Sequence, residues 1–168
     1  RPPARGDTPL PPGTSITLSE TDLLTDTKID ALGGKILFKV RGPVELHDST
    51  ISATVTDVRP QSRTLQEQGG NIDVSSGSLS IQGGGVAALS RGTQNGGNIT
   101  VNAQGAISVG HGATISASNT GAADAGDIVL HAGSQLQIQN ASVTTQSAHA
   151  SGGNITLKAT DSIRLINS

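Results

Sequence analysis

The tetrapeptide Gly-Gly-Asn-Ile occurs at residues 69–72, 96–99 and 152–155. Two diverged copies, Gly33-Gly34-Lys35-Ile36 and Ala125-Gly126-Asp127-Ile128, extend the series. From the second glycine of each copy to the next, the steps are 36, 27, 29 and 27 residues. A period of this size is the mark of a repeat architecture, in which each unit cannot bury its apolar face alone and relies on its neighbours. Within each unit three short alternating segments recur. The first holds the pairs Ile72/Val74, Ile99/Val101, Ile128/Leu130 and Ile155/Leu157. The second holds Leu79/Ile81, Ile107/Val109, Leu136/Ile138 and Ile163/Leu165; the third holds Val86/Ala88, Ile115/Ala117 and Val143/Thr145. Alternation with period two means a strand with one buried face. Three strands per unit make a triangular circuit, and stacked circuits share one aliphatic interior. The chain therefore reads as all-β: a three-sided parallel β-helix of about five coils.

Domain boundaries follow from the same pattern. Residues 1–13 form a proline-rich extended arm or linker, and residues 14–168 form the β-helix. Residues 14–32 read as a short first coil with Ile16/Leu18, Leu23 and Ile29/Ala31 as its three sides, and the last coil stops after two sides. The long step places about eight extra residues within 54–68, as a loop at one corner. The core must be built from Val, Ile, Leu and Ala, because the chain has one Phe, no Trp, Tyr, Met or Cys, and 22 glycines. Only 14% of residues are charged, against the usual ~25%, so Ser, Thr, Asn and Gln cover the surface.

The turn residues Asn71, Asn98, Asp127 and Asn154 are expected to stack at one corner. Their neighbouring glycines supply positive φ, and the side chains bond each other or the turn backbone above and below. A structural ladder is the favoured reading of this column, a ligand-binding ladder the other. Asn98, Asn140 and Asn154 also head N-x-S/T sequons, read as backbone-turn residues.

The succession "GGNITVNAQGAISV…ATISAS…AGDIVLHAGSQLQIQNASVTTQS…GGNITLKATDSIRLINS" resembles the repeat region of filamentous-haemagglutinin-type exoproteins, the large passengers of two-partner secretion. The similarity runs over residues 33–168. It implies a right-handed coil, export through an outer-membrane transporter partner, a secreted or bacterial cell-surface location, and a role in adhesion or biofilm. Residues 1–32 show no secretion domain, which points to a piece of a larger polypeptide.

Alternation also fixes the outward side chains: Leu37, Asp73, Thr100, Val129 and Thr156 on the first face; Glu45, Ser80, Ser108, Gln137 and Arg164 on the second; Ser52, Ala87, Ser116 and Thr144 on the third. Glycan-cleaving β-helices need clustered carboxylates on adjacent coils, and no face places two acids so. A polysaccharide-degrading module is thus the weaker alternative, and no catalytic residue is assigned. Of the four histidines, His47 and His111 fall near one corner two coils apart, with His131 and His149 at other corners. That spacing gives no zinc-type set, so neither metal nor cofactor is expected. The formal net charge of −2 gives no reason to expect nucleic acid, and no apolar run is long enough to insert in a membrane.

Two features break the monotony. The inserted loop carries Asp57, Arg59, Arg63 and Glu67, either as decoration or as a binding loop for cell-surface glycans or proteins. Arg5-Gly6-Asp7 is an integrin-like tripeptide in a linker-like setting. Charge concentrates toward the start: residues 1–68 hold 8 Lys/Arg and 9 Asp/Glu, whereas residues 69–168 hold 3 and 4. Acids on the first coil would discourage end-to-end stacking. An uncapped far end would favour self-association, up to a self-assembling extracellular fibre.

Overall fold

The computed structural model describes residues 15–28, 34–56, 69–93 and 95–168. These residues form strands and turns only. Among them no helix is long and apolar enough to cross a membrane. The strands lie in three parallel sheets, one per face of the predicted triangle, and the chain visits them in strict rotation. The first face holds β3 (Ile36–Lys39), β6 (Ile72–Ser76), β9 (Ile99–Ala103), β12 (Ile128–Ala132) and β15 (Ile155–Ala159). The second holds β1 (Ile16–Ser19), β4 (Pro43–His47), β7 (Ser78–Gln82), β10 (Ile107–Gly110), β13 (Gln135–Gln139) and β16 (Ser162–Ile166). The third holds β2 (Asp22–Lys28), β5 (Thr50–Thr56), β8 (Gly85–Ser90), β11 (Thr114–Asn119) and β14 (Ser142–Ser147). The molecule is a three-sided parallel β-helix of about five coils.

Register places like on like. Ile36, Ile72, Ile99, Ile128 and Ile155 form one inward column. Val44, Leu79, Ile107 and Leu136 form another. Ile72, Ile99, Ile128 and Leu136 are fully buried, each burial contributing roughly 1.5–3 kcal/mol. On the third face the second inward column shrinks to Ala53, Ala88 and Ala117. The reason lies at the corner where the third face runs into the first. A Cβ on Gly70 would stand 2.8 Å from the Ala53 Cβ and 2.7 Å from the Gly34 carbonyl oxygen. A side chain larger than alanine at Ala53, or any at Gly70, would collide there.

The same corner corrects the expected role of the Gly-Gly pairs. None of Gly69, Gly70, Gly96, Gly97, Gly152 and Gly153 has positive φ, and neither do the Asn71, Asn98, Asp127 and Asn154 turn residues. All of these glycines but Gly152 are needed because the coils touch through bare backbone. A Cβ on Gly97, Gly126 or Gly153 would come within 2.0 Å of the carbonyl oxygen of Gly70, Gly97 or Gly126 on the preceding coil. Positive φ sits instead at the corner between the second and third faces. Glu20, Asp48, Gly83, His111, Asn140 and Asn167 there have φ between 46° and 76°. Asp and Asn tolerate this left-handed region better than most residues.

Ile16 pairs with Val44 and Leu23 with Ile51, so these two sides of the expected first coil lie on the second and third faces. The Ile29/Ala31 side lies outside the described residues. Thr54–Thr56, assigned above to the inserted loop, continue β5 and pair with β8 and β2. The last coil does present two sides, β15 and β16.

Ser76 is buried, and its hydroxyl has no hydrogen-bond partner. It interrupts an inward column otherwise made of Ala103, Ala132 and Ala159. Ser76→Ala should leave stability unchanged or raise it by up to about 1 kcal/mol, since an unsatisfied buried hydroxyl is removed. Gly97→Ala should lower stability by about 3 kcal/mol, because its methyl has no space against rigid backbone. Urea unfolding of both variants checks this contrast, which fails if Gly97→Ala unfolds at the wild-type midpoint.

Candidate functional site

The corner between the third and first faces carries the longest connections. They span residues 91–98, 120–127 and 148–154, against two or three residues at most other corners. The segment 57–68 leaves from Thr56 and returns at Gly69, so both its feet stand at this edge. Its candidates Asp57, Arg59, Arg63 and Glu67 lie outside the described residues, as do Arg5, Gly6 and Asp7.

Asn71, Asn98, Asp127 and Asn154 are brought together here as a continuous ladder. Asn71 Oδ1 accepts the Asn98 N–H at 2.8 Å; Asn98 Oδ1 accepts the Asp127 N–H at 2.8 Å; Asp127 Oδ1 accepts the Asn154 N–H at 2.7 Å. The backbone runs the opposite way. The carbonyls of Asn71, Asn98, Asp127 and Asn154 accept the N–H groups of Ile36, Ile72, Ile99 and Ile128 on the coil before, at 2.8–2.9 Å. Asn71, Asn98 and Asp127 therefore satisfy backbone groups on both neighbouring coils, at a corner where the strand ladder has not yet begun. The Oδ1 atoms of Asn71, Asn98 and Asp127 are thereby engaged in coil-to-coil bonds.

Beside the ladder runs an open cleft whose walls include Asn95, Asn98, Asp124, Asp127 and Asn154. Asp124 Oδ1 accepts the Ser151 N–H at 2.9 Å, so both carboxylates brace the next coil. Behind them Asn119 is buried, donating to the Asp124 carbonyl at 3.2 Å and accepting from the Gly121 N–H at 2.7 Å. Asn119 aligns with Ser90 and Ser147, a polar inner column that alternation alone reads as core. Its signal in the sequence is the Asn or Ser that closes β8, β11 and β14.

The outward columns follow the expected order. Leu37, Asp73, Thr100, Val129 and Thr156 align on the first face. Glu45, Ser80, Ser108, Gln137 and Arg164 align on the second, and Ser52, Ala87, Ser116 and Thr144 on the third. Lys35 pairs with Asp73 at 2.5 Å, a solvent-facing contact worth about 0–1 kcal/mol. His47 Nε2 lies 3.7 Å from Glu45 Oε2, and His111 Nδ1 contacts Gln82 Oε1. His131 lies within β12 on the first face, between Asn102 and Lys158, rather than at a corner. Among the described residues no three of His, Cys, Asp and Glu converge as metal ligands would.

Compared with protein-family models, curated proteins and solved structures, the chain has no match in any of the three.

The ladder has a direct test. Asp127→Ala removes the acceptor for the Asn154 N–H and should cost about 1 kcal/mol, whereas Asp127→Asn keeps an amide oxygen in place and should cost little. Thermal melts of the two variants distinguish a hydrogen-bonding rung from a merely solvated side chain, for which both would match wild type.

Proposed function

We propose that this chain is a non-catalytic segment of a secreted or cell-surface adhesin, a stiff spacer that holds binding regions away from their anchor. The observation that carries the reading is unbroken register: six strands of the second face stack in order over an aliphatic interior. At ~4.8 Å per coil this face is roughly 24 Å tall. Length grows by repetition, and each added coil buries the one before it. The faces suit contact more than chemistry. Hydroxyl and amide side chains dominate them, and where an acid occurs its neighbours in the column are neutral, as with Asp73 between Leu37 and Thr100. Arrays of such modest contacts gain strength by multivalency. The filamentous-haemagglutinin resemblance supports the same assignment, and with it export through an outer-membrane partner.

A second reading, head-to-tail assembly into fibres, is favoured by the last coil. Its inward columns continue through Ile155, Ile163 and Leu165, which are 43%, 44% and 53% exposed. A strand laid over them in parallel would complete both backbone pairing and the apolar column.

Adhesion should depend on the long edge. Deleting residues 57–64 should reduce attachment of chain-coated beads to cells or glycan surfaces several-fold while leaving the melting temperature within a few degrees; unchanged attachment would assign that segment to decoration. For the fibre reading, sedimentation at high concentration should show self-association that Leu165→Lys abolishes. A wild-type chain that stays monomeric dismisses it.

A further inference from the structure

The second face is interrupted at one place. His47 and Gln82 are registered partners at the end of their strands, and Gln82 is registered in turn with Gly110. On the far side of Gly110 lies Gln139: its carbonyl oxygen would be 3.5 Å from a Cβ on Gly110, and the Gln82 Oε1 atom 3.1 Å from it on the near side. A column of long polar side chains thus has one missing. The backbones of Gln82 and Gln139 stand two coils apart, about 9–10 Å, with bare glycine between them. The gap is a depression of about 170 Å³ whose lining includes Gln82, Ser108, His111, Gln137, Gln139 and Asn140.

The following corner is irregular on the same coil. The other corners between the second and third faces take two residues, such as Asp48-Ser49, Gly83-Gly84 and Asn140-Ala141; this one takes three, His111-Gly112-Ala113. The coil-to-coil bond made elsewhere by the first corner residue, as from Asp48 N–H to the Gln82 carbonyl, is displaced here to Gly112 N–H and the Asn140 carbonyl. The extra residue leaves β11 in register with β8 and β14. Its effect is confined to the surface, where it sets the exposed His111 ring on the rim of the depression.

The polar atoms there offer both donors and acceptors. Gln137 Nε2 donates to Gln139 Oε1 at 2.9 Å, leaving the Gln139 amide hydrogens and the Gln137 carbonyl as available groups on one wall. On the other, His111 Nδ1 contacts Gln82 Oε1; with Nδ1 as donor, Nε2 is an acceptor. No carboxylate, lysine or arginine lines the space. An uncharged ligand rich in adjacent hydroxyls matches such a set, since an amide pairs one donor with one acceptor as a vicinal diol does. The volume falls below the ~300–1,000 Å³ of sites for drug-sized ligands, which suits one ring.

We infer that the Gly110 notch on β10, walled by Gln82, Gln139 and His111, is a subsite for a single neutral pyranose unit of a glycan. It deepens the adhesin reading and rests on it only for the source of the sugar. Binding is weak, on the order of millimolar, because a shallow, half-open site with few hydrogen bonds offsets little of the cost of immobilising its ligand.

The experiment uses the four histidine rings as probes. The whole chain is titrated with glucose, galactose, N-acetylglucosamine and glucuronate, and the ring C–H resonances of His47, His111, His131 and His149 are followed by NMR. A saturable shift confined to His111 with at least one neutral sugar is expected. It should be lost in Gly110→Gln, which restores the missing side chain and keeps the strand. It should also be lost in Gln139→Ala, which removes one wall of the notch with its amide hydrogens and keeps the His111 probe. A saturable His111 shift in both folded variants overturns the site, as do shifts shared equally by all four rings, a response to glucuronate alone, or no response at all. Melting curves confirm that each variant is folded, and either variant suffices for the comparison. A notch that binds sugar in a chain that fails to attach cells would leave the subsite standing and remove the adhesin. A silent notch in a chain that attaches would do the reverse.

Discussion

Parallel pairing of each strand with its own equivalent one coil away governs everything else in this molecule. At ~4.8 Å between coils, a residue's nearest outward neighbours are the residues of the same column, so whatever the repeat repeats is stacked on itself. For aliphatics this is favourable. For charges it is not: two like charges at that separation repel by about 1 kcal/mol even at the dielectric constant of water, and more near a protein surface. The observed strand columns obey this limit, and the like-charged neighbours Glu20 and Asp48 fall at a solvent-facing corner instead. Glu45 pairs with Thr17 and Ser80, Lys39 with Ser75, and Arg164 with Gln137. The low charged fraction of the chain, 14%, is therefore a consequence of the architecture, and hydroxyl and amide side chains are what remains for a wettable, self-stacking surface.

Backbone is subject to the same closeness. Where strands end and coils turn, the ladder of N–H and C=O groups must be satisfied by other means, and two of the three corners do so differently. Between the second and third faces a left-handed residue bends the chain, and the backbone still bonds coil to coil. Between the third and first faces the chain stays in ordinary φ, the glycines close the distance, and the Asn/Asp oxygens take up the spare N–H groups. The long segment 57–68 departs from the second kind, where insertions need not disturb a tight turn.

This difference explains what could be read in advance. Face assignments such as Ser52, Ala87, Ser116 and Thr144 were legible because period-two alternation and a repeat of known phase determine register together. The reason for the Gly-Gly pairs was not, since positive φ and the exclusion of a Cβ both select glycine, and only three-dimensional proximity separates them. Ile16 and Leu23 were legible as sides of a coil, but which faces they join is given only by their pairing with Val44 and Ile51. Asn119 escaped notice for a related reason: a buried amide at a strand end has the polarity of a surface residue and the position of a core one. The ladder oxygens of Asn71, Asn98 and Asp127 were legible as a column, though not in their direction of bonding.

The step of 29 residues shows how such a scaffold accommodates novelty. With every inward position occupied by its column, an extra residue cannot be absorbed inside without shifting all side chains of a strand to the opposite face. It is expelled at a corner instead. Relative to the coil before, the chain does this twice, once at residues 104–106 and once at His111-Gly112-Ala113, and it is in register again by Thr114, paired with Gly85 below and Ser142 above. The core columns on either side, ending in Val109 and beginning in Ile115, remain buried. Local irregularity thus alters the surface without altering the stack. A repeat built on stacking like with like can acquire a distinctive contact only where one coil departs from its neighbours, and coil-to-coil register is what makes that departure harmless to the fold.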